Sequence, residues 1–97
     1  MNFVHVEGQN KGKKVILYAI STCVWCQRVK ELLKNLKIDY TYVDVDLASG
    51  DDKKQLIKEV KRWNPALSFP TLIIDDKIVV IGYNPEEIRS RLFDERI

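Results

Sequence analysis

Val15-Ile16-Leu17-Tyr18-Ala19-Ile20-Ser21-Thr22-Cys23-Val24-Trp25-Cys26 is the stretch on which the reading of this chain turns. The first six residues form an unbroken β-branched and aromatic run, the length and composition of a strand buried on both faces. Ser21-Thr22 ends the run, and beyond Cys23 the apolar spacing becomes helical: Val29, Leu32, Leu33 and Leu36 fall at i, i+3, i+4 and i+7. A central strand therefore passes into a helix through C-x-x-C. Two cysteines scattered at random over such a chain would fall three apart in about 2% of arrangements, so chance is a poor account of the spacing. A helix amino terminus has unpaired N–H groups and the positive end of the macrodipole, and these favour a thiolate placed there. Cys23 is the predicted nucleophile. Cys26, one turn in and more buried, is the predicted resolving thiol, which attacks the mixed disulfide formed on Cys23.

Working outward, residues 1–14 read as an extension: a marginal edge strand at Phe3-Val4-His5-Val6-Glu7, then a turn or flexible loop through Gly8 and Gly12. Asp39 to Asp46 alternates as a half-exposed strand, with Tyr40, Tyr42, Asp44 and Asp46 on one face and Thr41, Val43 and Val45 on the other. Ser49-Gly50-Asp51-Asp52 supplies an N-cap and first-turn acids for a helix carrying Leu56, Ile57, Val60 and Trp63, stopped by Asn64-Pro65. Trp63 closes that helix onto the core. After Phe69-Pro70, strands at Thr71 to Ile74 and Ile78 to Ile81 flank Asp75-Asp76-Lys77 as an antiparallel hairpin, ended by Gly82. Asn84-Pro85-Glu86-Glu87 opens a last helix with Ile88, Leu92 and Phe93 inward. The order β-α-β-α-β-β-α predicts an α/β domain whose mixed sheet has helices on both faces.

Composition limits the function. The chain has 97 residues, 45% hydrophobic and 31% charged, with two cysteines. That fits one domain over 1–97, able to fold without disulfide staples. Sixteen basic against fourteen acidic residues leave a net charge of +2, too balanced for a nucleic-acid footprint. Lys53, Lys54, Lys58, Lys61 and Arg62 lie along the second helix without interleaved aromatics, which points the same way. No apolar run is long enough for a membrane span and Met1–Lys14 lacks the apolar core of a secretory signal, so a cytoplasmic location is expected. A one-chain zinc or iron-sulfur site would need four ligands, and only His5 stands beyond the two cysteines and the acids; no metal is expected. Other readings remain beside thiol redox chemistry: a metal or cluster carrier bridging two chains, a structural disulfide, and a redox-sensing binding module. His5 is a lone histidine with no assigned role, and Asp44 and Asp46 read as a solvated face.

Three separated motifs resemble the glutaredoxins of the thioredoxin-fold superfamily, over about Val15 to Leu92. Cys23-Val24-Trp25-Cys26 resembles the family's C-P-Y-C box, Ser68-Phe69-Pro70-Thr71 its T-V-P segment, and Gly82-Tyr83 its Gly-Gly pair. The resemblance implies a thioredoxin-like fold with a central mixed four-stranded sheet, a cis bond before Pro70, and thiol-disulfide oxidoreductase activity in electron transfer and cell redox homeostasis. It implies that Cys23 attacks a protein disulfide or mixed disulfide and that Phe69 pairs its backbone with the peptide-like part of the substrate, as an added strand does. It implies further that Trp25 forms an apolar wall beside the sulfurs and that the amides of Tyr83 and Asn84, next to Gly82, receive a substrate carboxylate. No bound cofactor is expected; glutathione or another low-molecular-weight thiol is the expected co-substrate, and the chain is expected to be monomeric. Two departures bear on the reductant. Ile20 stands where glutathione-using members carry lysine, and Gly82-Tyr83-Asn84-Pro85-Glu86 resembles redoxins that serve ribonucleotide reductase and are reduced by thioredoxin reductase. Lys13, Lys14, Arg28, Lys30 and Arg62 are candidates for attracting an anionic thiol.

Overall fold

The computed structural model describes residues 3–93; residues 1, 2 and 94–97 of the expected domain range lie outside the described residues. The elements in chain order are β1 (Val4–Val6), β2 (Val15–Ala19), α1 (Val24–Asn35), β3 (Tyr40–Asp44), a 3-10 turn (Val45–Leu47), α2 (Gly50–Trp63), β4 (Thr71–Ile74), β5 (Ile78–Ile81) and α3 (Pro85–Phe93). The strands form one mixed sheet in the order β1-β3-β2-β4-β5. β2 runs parallel to β3 and antiparallel to β4, and the outer pairs β1·β3 and β4·β5 are antiparallel. The parallel pair needs a crossover, which α1 supplies.

Alternation along β2 divides the core. Val15, Leu17 and Ala19 face one side and are buried with Cys26, Val29, Leu32 and Leu33 of α1 and Ile88 and Leu92 of α3. Ile16, Tyr18 and Ile20 face the other and pack with Leu56 and Val60 of α2. Helices thus cover both faces, as the continuous apolar run required. Trp63 packs against the α2-side cluster. Among the described residues, no helix is long and apolar enough to cross a membrane.

Four expectations need correction. The sheet has five strands, not four: β1 pairs with β3 in the register Val4↔Tyr42, His5↔Thr41 and Val6↔Tyr40, covering what would otherwise be an open edge. The segment after β1 is tied down rather than loose. Gly8 donates its N–H to Asp39 Oδ1 at 3.0 Å, and Asn10 bonds Lys37 O, the Asp39 N–H and Leu36 O. Gly8 lies so close to β3 that a Cβ there would stand 2.4 Å from the Ile38 carbonyl carbon. β3 stops at Asp44 because the chain coils into the 3-10 turn, and its tyrosines point inward: Tyr40 is buried and Tyr42 packs beside it. Phe93 is 48% exposed, and α3 buries only Ile88 and Leu92. The remaining local signals hold, though the Ser49 side chain makes no cap bond at the start of α2.

Candidate functional site

The carboxyl end of β2 and the amino end of α1 meet at the cysteines. The turn between them closes with the Cys23 N–H donating to Ile20 O at 3.1 Å, and Cys23 occupies the N-cap of α1 in an extended conformation. An N-cap side chain normally supplies oxygen to the exposed helix N–H groups. Here sulfur does so: Cys23 Sγ accepts the Cys26 N–H at 3.2 Å, while Cys23 O receives the Gln27 N–H at 3.2 Å. Both cysteines are free thiols; Cys23 is partly exposed and Cys26 wholly buried. Burial pushes the Cys26 thiol up to about 12, helped by its hydrogen bond to Cys23 and opposed by a backbone bond at Ile20 and by the Lys30 charge. One sulfur is thus accessible at a helix terminus and the other is a protonated thiol one turn behind it.

Asp46 holds the approach to the cysteines. Its carboxylate accepts the Ser21 N–H at 2.8 Å and the Ser21 hydroxyl, and these two bonds keep Asp46 below the usual carboxylate range. The early end of β3 makes this possible, because the 3-10 turn swings Asp46 back toward β2. Sequence alternation alone had placed Asp46 on a solvated strand face. Asp44 is likewise engaged: Lys30 Nζ lies 3.3 Å from its carboxylate and 4.0 Å over the Tyr42 ring, with both charged side chains largely covered.

Trp25, Phe69, Pro70, Gly82 and Tyr83 line one shallow groove of about 190 Å3. Phe69-Pro70 is a cis peptide, as the resemblance implied. Gly82 adopts φ +80°, a conformation that favours glycine, and its N–H donates to Pro70 O at 2.9 Å. The indole of Trp25 stacks on the Tyr83 ring, centroids 5.8 Å apart and planes 18° from parallel. Asn84 is not part of this lining. It caps α3, its Oδ1 accepting the Glu87 N–H at 3.3 Å and its carbonyl the Ile88 N–H at 2.9 Å.

The basic residues do not gather at the groove. Lys14 pairs with Asp76 at 2.9 Å beside the β4-β5 turn, Arg28 with Glu31 at 3.7 Å, and Arg62 stands over Trp63 on α2. His5 bonds Asp39 at 2.9 Å, joining β1 to the start of β3, far along the sheet from the cysteines. Among the described residues, no three His, Cys, Asp or Glu side chains gather as a metal site.

A small mixed sheet with a C-x-x-C at the strand-to-helix turn, facing a cis-proline loop, defines a thiol redox protein of the thioredoxin superfamily. The glutaredoxin family model matches residues 15–79, and the chain belongs to the glutaredoxin family. That match takes in both cysteines and Pro70 but stops before Gly82. The chain is similar to a glutaredoxin from Methanosarcina mazei, with 44% identity and TM-score 0.87 over 94% of this chain and 87% of that one. It is also similar to methanoredoxin from Methanosarcina acetivorans, with 42% identity and TM-score 0.84 over 89% and 90%. An uncharacterized glutaredoxin-like 8.6 kDa protein in a rubredoxin operon of Clostridium pasteurianum is 39% identical over 72 residues, 74% of this chain and 88% of that protein.

Proposed function

We propose that this glutaredoxin-family protein is a dithiol oxidoreductase that reduces protein disulfides or mixed disulfides through Cys23 and Cys26. One observation carries the reading: an accessible Cys23 Sγ at a helix N-cap, receiving the Cys26 N–H at 3.2 Å, directly ahead of a wholly buried Cys26. The Cys23 thiolate attacks one substrate sulfur; a Cys23–substrate disulfide forms as the substrate S–S bond breaks, and the departing thiolate takes a proton from water. Cys26 then attacks Cys23 Sγ, its proton passing to the departing substrate sulfur. The Cys23–Cys26 disulfide forms, the second substrate thiol leaves, and two electrons have passed from the dithiol to the substrate. The backbone of Phe69 receives the substrate's extended segment beside Pro70, and Trp25, Gly82 and Tyr83 form the groove around it. The Tyr83 and Asn84 amides are the anion-facing groups at the start of α3. The dithiol works reduced, which suits the reducing cytoplasm.

A second reading concerns the reductant. The groove is lined by aromatic side chains, proline and glycine with no cationic side chain among the described lining residues, Ile20 stands three residues before Cys23, and Lys14 and Lys30 are engaged with Asp76 and Asp44. This favours a thiol other than glutathione, or thioredoxin reductase, as the electron source, with ribonucleotide reductase among the acceptors. The test follows NADPH oxidation with glutathione and its reductase on one side and thioredoxin reductase on the other. Turnover in either system supports the dithiol reading, and the faster one names the reductant. Cys23→Ser should abolish turnover in both, while Cys26→Ser should keep activity toward glutathionylated substrate only. Equal loss in the two variants on that substrate overturns the assignment of roles.

A further inference from the structure

The Ser68–Thr71 segment that presents Phe69 to the groove is held from behind by one side chain that the chemistry does not use. Asn64 follows the last residue of α2 and is 2% exposed. Its Nδ2 lies 3.1 Å from Ser68 O, 2.9 Å from Ser68 Oγ and 3.1 Å from Thr71 Oγ1, so two amide protons serve three acceptors. Its Oδ1 accepts the Ala66 N–H at 3.2 Å, and the Thr71 hydroxyl donates to Ser68 O at 2.8 Å. The backbone adds to this bracket: Asn64 O accepts the Leu67 N–H at 2.9 Å, and Leu67 adopts φ +53°, which a residue with a side chain holds only where its surroundings enforce it. From the opposite side the Gly82 N–H holds Pro70 O. The carbonyls of Ser68 and Pro70 are thereby both engaged within the protein. Between them, the Phe69 N–H and C=O enter none of the loop or turn hydrogen bonds among the described residues.

We propose that Asn64 is a positioning residue for substrate: it fixes the Phe69 main chain so that its N–H and C=O meet an extended thiol substrate. The proposal rests on the oxidoreductase reading above. An edge that is already ordered loses little freedom when a strand adds to it, and a loosened one must be ordered at the moment of binding. Asn64 touches no reacting atom, so its effect belongs on substrate affinity and not on the sulfur chemistry.

The experiment compares the intact wild-type chain with Asn64→Ala and Asn64→Asp. The substrate is a glutathionylated cysteine peptide, and iodoacetamide alkylation of Cys23 is measured in parallel as a reaction that does not use the Phe69 edge. For Asn64→Ala, KM should rise about tenfold while kcat and the alkylation rate stay within about twofold, the split expected when binding hydrogen bonds are misplaced. Asn64→Asp keeps the shape and the acceptor toward Ala66, but a carboxylate cannot donate to Ser68 and Thr71. Its KM, taken relative to wild type, should therefore be raised at pH 8 and fall back toward wild type as acid protonates the carboxyl group. A KM unchanged in both variants overturns the proposal, and so does a rise in KM matched by an equal fall in alkylation. If Asn64→Ala fails to fold, Thr71→Val, which removes two of the same bonds, takes its place under the same criterion. Absence of turnover in the wild-type protein counts against the oxidoreductase reading itself, separately from the role of Asn64.

Discussion

Replacing Cys26 by serine should change how stability depends on pH, because the buried thiol ionises far less readily when folded than when unfolded. Burial and the bond to Cys23 raise it from 9.0 to about 12. The folded state therefore holds this proton more tightly. Below pH 9 both states are protonated and the thiol's contribution is fully present; it is lost as pH rises toward 12, where the unfolded chain has long since ionised. At pH 10 ionisation of the thiol shifts the folding equilibrium toward the unfolded chain by a factor of about 11, on the order of 1 kcal/mol, while at pH 7 the shift is negligible. Tyr40, also raised to about 12 by burial, and Tyr18, raised by burial beside Glu59 and Asp76, push in the same direction but are common to both proteins. Urea unfolding under reducing conditions at pH 7, 8, 9 and 10 would separate them. The wild-type protein should lose on the order of 1 kcal/mol more than Cys26→Ser between pH 7 and pH 10. Parallel curves would refute the burial argument, and with it the view that Cys26 keeps its proton until a mixed disulfide calls on it.

Two further outcomes follow from the amino-terminal strand. Gly8→Ala places a Cβ 2.4 to 2.6 Å from the backbone of Ile38 and Asp39, which no rotamer can relieve; a loss of about 1 to 3 kcal/mol is expected. An unchanged unfolding midpoint, with undiminished amide protection at Val6, would refute it. Asp39 is held below its ordinary value by His5 first and Gly8 second, so its contribution is present above about pH 4 and lost as pH falls below that. Acid should therefore lower the amide protection factors of β1, measured against the intrinsic exchange rate at each pH, before those of β2 and β4, and Asp39→Asn should abolish that pH dependence; equal acid sensitivity in the variant would count against it.

The parts of the fold legible in the sequence were those written in short-range periodicity and backbone chemistry. The Val15–Ile20 run, the change to helical spacing after Cys23, the Asp75-Asp76-Lys77 hairpin and Pro85 at the start of α3 each act within a few residues, and each stands where expected. What escaped depends on partners distant in sequence. The short alternation over residues 3–7 is enough to read a marginal edge strand but not to place it in the sheet, because its partner and register come from Tyr40–Tyr42. Asp46 looked like one more acid on an alternating strand because nothing local shows that the chain will coil at Val45 and carry it to Ser21. Asn64 was legible only as a helix stop before Pro65; its bonds to Ser68 and Thr71 exist because α2 and β4 meet across the loop. The site shows the same division. The cysteines and Pro70 announce themselves by spacing and resemblance, whereas the stacking of Trp25 on Tyr83 joins residues from opposite ends of the domain.

That aromatic pair also gives the protein a built-in optical readout. The chain has two tryptophans. Trp63 packs against the α2-side cluster, while Trp25, which lies between the two cysteines in sequence, is 58% exposed and stacked on Tyr83 at the groove. Its indole emission is therefore expected to change when the groove is filled or the neighbouring sulfurs are oxidised, with Trp63, on the far face of the sheet, as the expected internal reference. Titrating the unlabelled chain with oxidant checks this: the emission change should vanish in Trp25→Phe, and its survival there would place the signal on Trp63 instead.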